Sequence, residues 1–289
     1  MTSLKAHLVI VDPQNDFMGN DDNSPLSETL GSGGSLQASL AVPGAVSDMR
    51  RVAKLIDRVG GKLDDIHVTL DSHHTMHIAH PDMWVDENGK PPAPFTIIRA
   101  DDVANGIWRA RNPAHQRRMA TYVEQLEADG KFLHCIWPPH CRIGTWGHNV
   151  QQDLQDALTA WERRYMGVVD YVTKGSSVWT EHFGAVMAQV VDPNDPSTQL
   201  NTEFIKLLQE ADVIAVAGEA LSHCVKTTVE QVAEYIGDEH IKKMILLTDC
   251  MAPVSAAPGT PDFPAIGQQF LQDMKSRGMT LMTSEEFLA

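Results

Sequence analysis

Short apolar runs rich in β-branched residues recur along this chain, and nearly every one is followed by a stretch whose apolar positions fall three or four apart. That alternation suits a parallel sheet covered by helices, because each parallel strand needs a long crossover to return to the same edge. Strands are expected at 6–12, 65–71, 131–137, 168–173, 211–218, 243–249 and 279–283, and helices at 44–59, 113–129, 152–164, 180–190, 200–209, 224–236 and 263–277. The fold class that follows is α/β: a single doubly wound domain over 1–289, with a mainly parallel central sheet of about six strands flanked by helices, Rossmann-like in layout. Two segments stand outside the alternation and read as surface insertions. One spans about 19–42 and carries GSGG at 31–34; the other spans about 82–112 and carries PPAP at 91–94. The second reads as a lid or a partner-facing loop. The glycines of the first follow no strand directly, which is where a phosphate-binding turn belongs.

Of the 289 residues 43% are hydrophobic, enough to build a core. Lys and Arg number 23 against 38 Asp and Glu, a net charge of −15, and that sign argues against a nucleic-acid partner. No apolar run approaches the roughly 18 to 20 residues of a membrane span, and nothing at the start reads as a signal peptide. The four cysteines, Cys135, Cys141, Cys224 and Cys250, are too few for a disulfide scaffold, so a cytoplasmic protein with free thiols is expected.

Ligands of open α/β sheets bind beyond the carboxyl ends of the strands, so the residues just past each strand matter most. Asp12 ends the first expected strand, Asp71 ends the second with His73 and His77 after it, and Trp137 and His140 follow the third. Lys174 ends the fourth, and Cys224 follows the fifth after GEALSH. Cys224 starts the expected 224–236 helix, where the helix terminus favours a thiolate and free N–H groups can hold an oxyanion. By itself it reads equally as a buried cysteine, as Cys135 and Cys250 do. Asp71, His73 and His77 form D-x-H-x-x-x-H, and with His140 they offer oxygen and nitrogen donors suited to catalytic zinc, or to iron or manganese. His74 and His80 share the loop and are equally open as ligands. A structural zinc made from His134, Cys135, His140 and Cys141 is disfavoured, because the expected strand splits their directions.

These residues together resemble the nicotinamidases of the isochorismatase-like cysteine hydrolases. The matching segments are VIVDPQNDF (9–17), DSHHTMH (71–77), WPPHCRIGTWG (137–147), YVTKG (171–175) and AGEALSHCV (217–225), and WPPHC is the most specific of them. The likeness runs from Leu8 to about Asp249, apart from the insertions. It implies a catalytic triad of Asp12, Lys174 and Cys224, and metal ligands Asp71, His73 and His140, with His77 as a further or water-mediated ligand. It also implies a cis peptide joining Glu219 to Ala220, an oxyanion hole from the N–H groups of Ala220 and Cys224, and Phe17 and Trp137 flanking the substrate ring. The implied reaction is metal-dependent hydrolysis of nicotinamide to nicotinate and ammonia through a cysteine thioester. The implied cofactor is a divalent metal, Zn2+ first and Fe2+ or Mn2+ as alternatives, and the implied assembly is a homo-oligomer.

Ser222 stands where many relatives carry Asp, the interval from His77 to Trp137 is long, and 19–41 is added. These departures bear on the substrate rather than on the triad. Two alternatives stay open: another small-amide or ureido (N-carbamoyl) hydrolase of the same superfamily, and a non-catalytic metal-binding scaffold. A dinucleotide oxidoreductase does not fit, because the first strand leads into DPQNDF with no glycine-rich turn.

Overall fold

The strand order of the central sheet decides where a ligand can sit. In the computed structural model, which describes residues 4–31, 34–130 and 132–289, six parallel strands form that sheet. They are β1 (Ala6–Val11), β2 (Asp65–Asp71), β3 (Asp170–Lys174), β4 (Val213–Gly218), β5 (Met244–Leu247) and β6 (Thr280–Met282), ordered β6-β5-β4-β1-β2-β3. The chain builds outward from β1 through β2 to β3, then returns to the other side of β1 and continues to β6. The loops leaving β1 and β4 therefore diverge and open a crevice at the carboxyl edge. Register places Val11 opposite Gly218 and Asp71 opposite Lys174, so four strand ends finish close together.

All six residues of β1 are buried, as expected for a central strand covered on both faces. The main helices are α1 (Ala45–Val59), α2 (Gln116–Asp129), α3 (Gln152–Tyr165), α4 (Thr202–Glu210), α5 (Lys226–Tyr235) and α6 (Phe263–Ser276). Helix α1 buries Val46, Met49, Val52, Ala53 and Ile56 at helical spacing and packs on α3, where Trp161 Nε1 donates to Gly60 O at 3.0 Å. Side-chain caps start α4 and α6: Asn201 accepts from Phe204 N and Asp262 from Ala265 N, each at 3.1 Å.

Two expected elements are different in the structure. The apolar run 131–137 is no strand of the central sheet. Lys131 lies outside the described residues, and His134–Cys135 pairs antiparallel with Ile97–Ile98. Its residues divide between two clusters: Cys135 and Trp137 pack in the main core, and Ile136 joins Ile78, Met83, Trp84, Ile98, Val103, Ala110, Met119, Tyr122, Val123 and Leu126 in a second one. The segment 82–112 is thus not simply a surface loop, since it supplies much of that cluster and pairs Trp84–Val85 with Arg109–Ala110. Residues 180–190 are not helical. Gln231 of α5 accepts from Met187 N at 3.2 Å and donates to Met187 O at 2.9 Å, so the backbone there is satisfied by a side chain. In the first insertion Ser27–Thr29 pairs with Ser35–Gln37, and Ser32 and Gly33 of its GSGG lie outside the described residues. Among the described residues no helix is long and apolar enough to cross a membrane.

Candidate active site

Asp12 leaves β1 with a φ of 44°, and Thr69 of the neighbouring strand fixes its carboxylate by donating to Oδ1 at 2.5 Å. Lys174 at the end of β3 reaches across. Its ammonium lies 2.8 Å from Asp12 Oδ2, 3.0 Å from Asp71 Oδ1, 3.0 Å from His182 O and 3.7 Å from Cys224 Sγ. All three triad candidates are buried. Burial works against the Lys174 charge, but Asp12 and Asp71 outweigh it and hold its pKa well above the ordinary range. Burial pushes the Asp12 carboxyl up despite Lys174.

Cys224 does not begin an α-helix. It sits in a π-helical turn, Leu221–Val225, before α5, with Val225 N donating to Ala220 O at 3.2 Å. Burial drives its thiol well up, against the pull of Lys174. Burial thus works against the pre-formed thiolate that a helix N-terminus suggested. The Glu219–Ala220 peptide is cis, and the backbone hydrogen bonds leave the Ala220 N–H without an acceptor among the described residues. Gly218 is needed just upstream: its φ is 120°, and a Cβ there would stand 2.1 Å from Val11 O.

Beside the triad, Asp71, His73 and His140 present one donor atom each, all within 4.8 Å of one another and all buried. His73 Nδ1 hydrogen-bonds Gly175 O at 3.2 Å and His140 Nδ1 hydrogen-bonds Pro138 O at 2.8 Å. With Nδ1–H as donor in both rings, each Nε2 is left to meet Asp71 Oδ2, at 2.8 and 3.3 Å. A backbone acceptor on the distal nitrogen is what orients a metal-binding imidazole, so the set fits a divalent cation. Burial opposes ionisation of Asp71, yet His73 and Lys174 hold its pKa well below the usual carboxylate range. Gly175 makes room for the cluster: its φ is 83°, and a Cβ there would lie 2.9 Å from Asp71 Oδ1.

Phe17 and Trp137 line a cavity of about 30 Å³ together with Cys224, Lys174, His140 and Leu40 of the first insertion. Trp137, Phe183 and His223 also wall an outer chamber of about 190 Å³, which Ile97, Phe132 and Phe263 complete.

No family model matches the chain. It is 24% identical over 278 residues to the nicotinamidase of Saccharomyces cerevisiae, covering 95% of this chain and 98% of the yeast one. The crystal structure of the yeast nicotinamidase bound to the inhibitor nicotinaldehyde aligns with a TM-score of 0.62 at 19% identity, over 96% of this chain and 99% of that one. This is the nicotinamidase fold. A nicotinamidase pyrazinamidase of Acinetobacter baumanii shares it, with a TM-score of 0.57 at 19% identity over 99% of this chain and all of the other.

On this nicotinamidase fold the residues singled out from sequence fall into three groups. Asp12, Lys174, Cys224, Asp71, His73, His140, Phe17, Trp137 and Ala220 are brought together around one crevice. His77 packs against His73 with ring centroids 4.3 Å apart, but Ala79 N and Thr180 O engage its two nitrogens. His74 is exposed, and His134 lies between Trp84 and Tyr122 in the second cluster, so the four-residue zinc of His134, Cys135, His140 and Cys141 does not assemble. Three residues were missed or left open. His80 is buried beside His73 and His140 with Nε2 unpartnered, and burial lowers its pKa to about 3. Glu181 and His182 line the inner cavity, with Oε1 and Nε2 free of hydrogen bonds and Glu181 Oε1 3.8 Å from His77 Nδ1. Their signal was a charged pair a few residues past Lys174-Gly175, hidden by the helical spacing around it.

Proposed function

We propose that this chain is a nicotinamidase-type amidohydrolase that cleaves nicotinamide to nicotinate and ammonia through a cysteine thioester. The observation that carries the reading is the meeting of Asp12, Lys174 and Cys224 around one buried ammonium, beside a cavity with an aromatic wall. Asp12 takes the Cys224 proton, and the sulfur attacks the carboxamide carbon. Ala220 and Cys224 N–H groups receive the developing oxyanion. Asp12 returns the proton to the leaving nitrogen, so ammonia departs and a thioester remains. Water, deprotonated by Asp12, then cleaves the thioester and regenerates the thiol. Lys174 keeps the Asp12 carboxylate in place and offsets the sulfur's charge throughout. Phe17 and Trp137 hold the ring.

Asp71, His73 and His140 would hold a divalent cation, zinc first and iron(II) or manganese(II) as alternatives, which when bound supplies a Lewis-acid centre beside the substrate. Four free buried cysteines fit a reducing, cytoplasmic setting, and a homo-oligomer is proposed on the family resemblance.

The outer chamber favours a second reading. A neighbouring cavity that shares Trp137, Phe183 and His223 with the inner one suits a longer amide or N-carbamoyl substrate. The deciding experiment is ammonia release by zinc-loaded protein from nicotinamide and from a panel of small amides and N-carbamoyl compounds, with Cys224→Ala in parallel. Turnover of nicotinamide that the substitution abolishes is expected. Full activity in Cys224→Ala would remove the mechanism, and turnover of the larger compounds alone would replace the substrate. A Cys224 that reacts with iodoacetamide no faster than Cys135 or Cys250 would favour a non-catalytic scaffold.

A further inference from the structure

Outside the triad and the metal cluster, a second buried acidic pair lies at the root of the segment that carries Ala220 and Cys224. Glu219 is fully buried, and Asp48 of α1 is nearly so. Glu219 N donates to Val11 O at 2.8 Å, and Glu219 Oε2 accepts from Ala252 N at 3.1 Å. Arg51 donates to Asp48 Oδ1 through Nη2 and to Asp249 O through Nε. That leaves two buried oxygens with no donor, Glu219 Oε1 and Asp48 Oδ2. They belong to side chains that lie within hydrogen-bond reach of one another.

Two carboxylates cannot form that bond, because ionised carboxylates only accept. One shared proton satisfies both oxygens at once. Leaving them ionised would set two like charges together in a water-excluded place. We infer that Glu219 is a positioning residue that holds this proton, donates it to Asp48, and so fixes the Ala220–Cys224 segment for reaction. This rests on the reading of Cys224 as the nucleophile.

The proton belongs on Glu219 because Arg51 already compensates Asp48. Burial and the Asp48 charge raise the Glu219 carboxyl well above the ordinary range. The other charged or titratable groups facing the pair are Asp249 and Cys250, which follow β5. Ser284 occupies the Asp249 carboxylate through its N–H and its hydroxyl, both at 2.7 Å. The clamp extends to the cavity wall: Leu221 N donates to Ala252 O at 2.8 Å, Val254 N donates to Ser222 Oγ at 3.2 Å, and Val254 lines the inner cavity. Donors of an oxyanion hole act by being aimed beforehand, so a bond that ties Glu219 to α1 and Ala252 bears directly on rate.

The test combines infrared spectroscopy with two substitutions in the zinc-loaded protein. The wild-type minus Glu219→Gln difference spectrum at pH 7 is expected to contain the carbonyl stretch of a protonated carboxylic acid. Glu219→Gln, whose amide still donates to Asp48 and accepts from Ala252, is expected to keep kcat within about threefold. Glu219→Leu is expected to lower kcat about tenfold to a hundredfold with KM nearly unchanged, as a small misalignment of reacting groups does. Absence of the band, a Glu219→Gln as impaired as Glu219→Leu, or a folded Glu219→Leu with unchanged kcat would each overturn the inference. Should Glu219→Leu not fold, the band and the kcat of Glu219→Gln decide: a missing band, or a Glu219→Gln that loses tenfold or more in kcat, overturns the assignment. Wild-type protein inert toward nicotinamide counts against the proposed activity alone, because the band and the rate of Cys224 alkylation still decide the role of Glu219.

Discussion

Two buried pairs of carboxyl groups serve the same short segment of chain, and they are neutralised by different means. Asp12 and Asp71 share the Lys174 ammonium, whereas Asp48 and Glu219 share a proton, with Arg51 on one side only. The difference suits their tasks. In the proposed reaction, an ammonium that stays in place leaves the proton of Cys224 free to travel to Asp12 and back. A proton locked between two carboxyl groups does not travel, and the chain around it is held still. Chemistry and support thus use the same residue types with opposite proton mobility.

The largest effect is expected where the fixed cation is removed. Lys174→Met leaves the buried Asp12 without its countercharge and is expected to cost about 3–5 kcal/mol in urea unfolding, together with all turnover. A loss below about 1 kcal/mol would break the contrast between the pairs.

A buried titratable group with no countercharge sharpens the comparison from another side. His134, enclosed by Trp84 and Tyr122, has its pKa lowered to about 3 by burial. An unfolded histidine takes up a proton below about pH 6.5 while the native one does not, so its stabilising contribution is complete above that pH and is lost as pH falls. Between about pH 6 and 4 the stability advantage of wild type over His134→Phe is expected to shrink by about 1.4 kcal/mol per pH unit in denaturant titrations. A difference independent of pH would show that His134 is protonated in the native state.

The proton-sharing pair is expected to give a smaller number. A double-mutant cycle with Asp48→Ala and Glu219→Leu is expected to yield a coupling of about 1–2 kcal/mol in thermal or urea unfolding. A coupling as large as the Lys174 effect would erase the distinction. The smallest effect belongs to a solvent-facing pair of the same chemistry, Arg50 with Asp153 at 2.8 Å. Arg50→Ala is expected to cost about 0.5 kcal/mol or less, and a larger cost would mean that exposure is not what separates these pairs.

The triad candidates were legible because each sits where an apolar run stops. Asp12 closes β1, Lys174 closes β3, and Cys224 follows β4 by one turn. The metal group was legible for the same reason at Asp71, and by residue type at His73 and His140. The run 131–137 misled because an apolar stretch announces burial without naming the partner, and here it is buried between the main core and the second cluster while pairing outside the central sheet. Residues 180–190 misled because Phe183 and Val186 are buried by a loop that Gln231 holds, which imitates helical spacing. Asp48 was invisible as a functional candidate, since an acid in the first turn of a helix usually reads as a partner of the helix dipole. Glu219 entered only as one side of a peptide bond; its side chain became meaningful once α1 was seen beside it.

Asp71 ends β2 and His73 follows it by two residues, whereas His140 follows no strand of the central sheet, and its loop is pinned at the base, where Asp16 Oδ2 accepts from Cys141 N at 2.7 Å. Between that pin and His80 the chain runs through the second cluster and returns. In engineering terms the stretch is a cassette: exchanged whole, with its own hydrophobic cluster kept together, it is expected to leave the donors in place as long as both anchor points are kept. Recombining this stretch between relatives is therefore a route to new pocket mouths on an unchanged reaction centre.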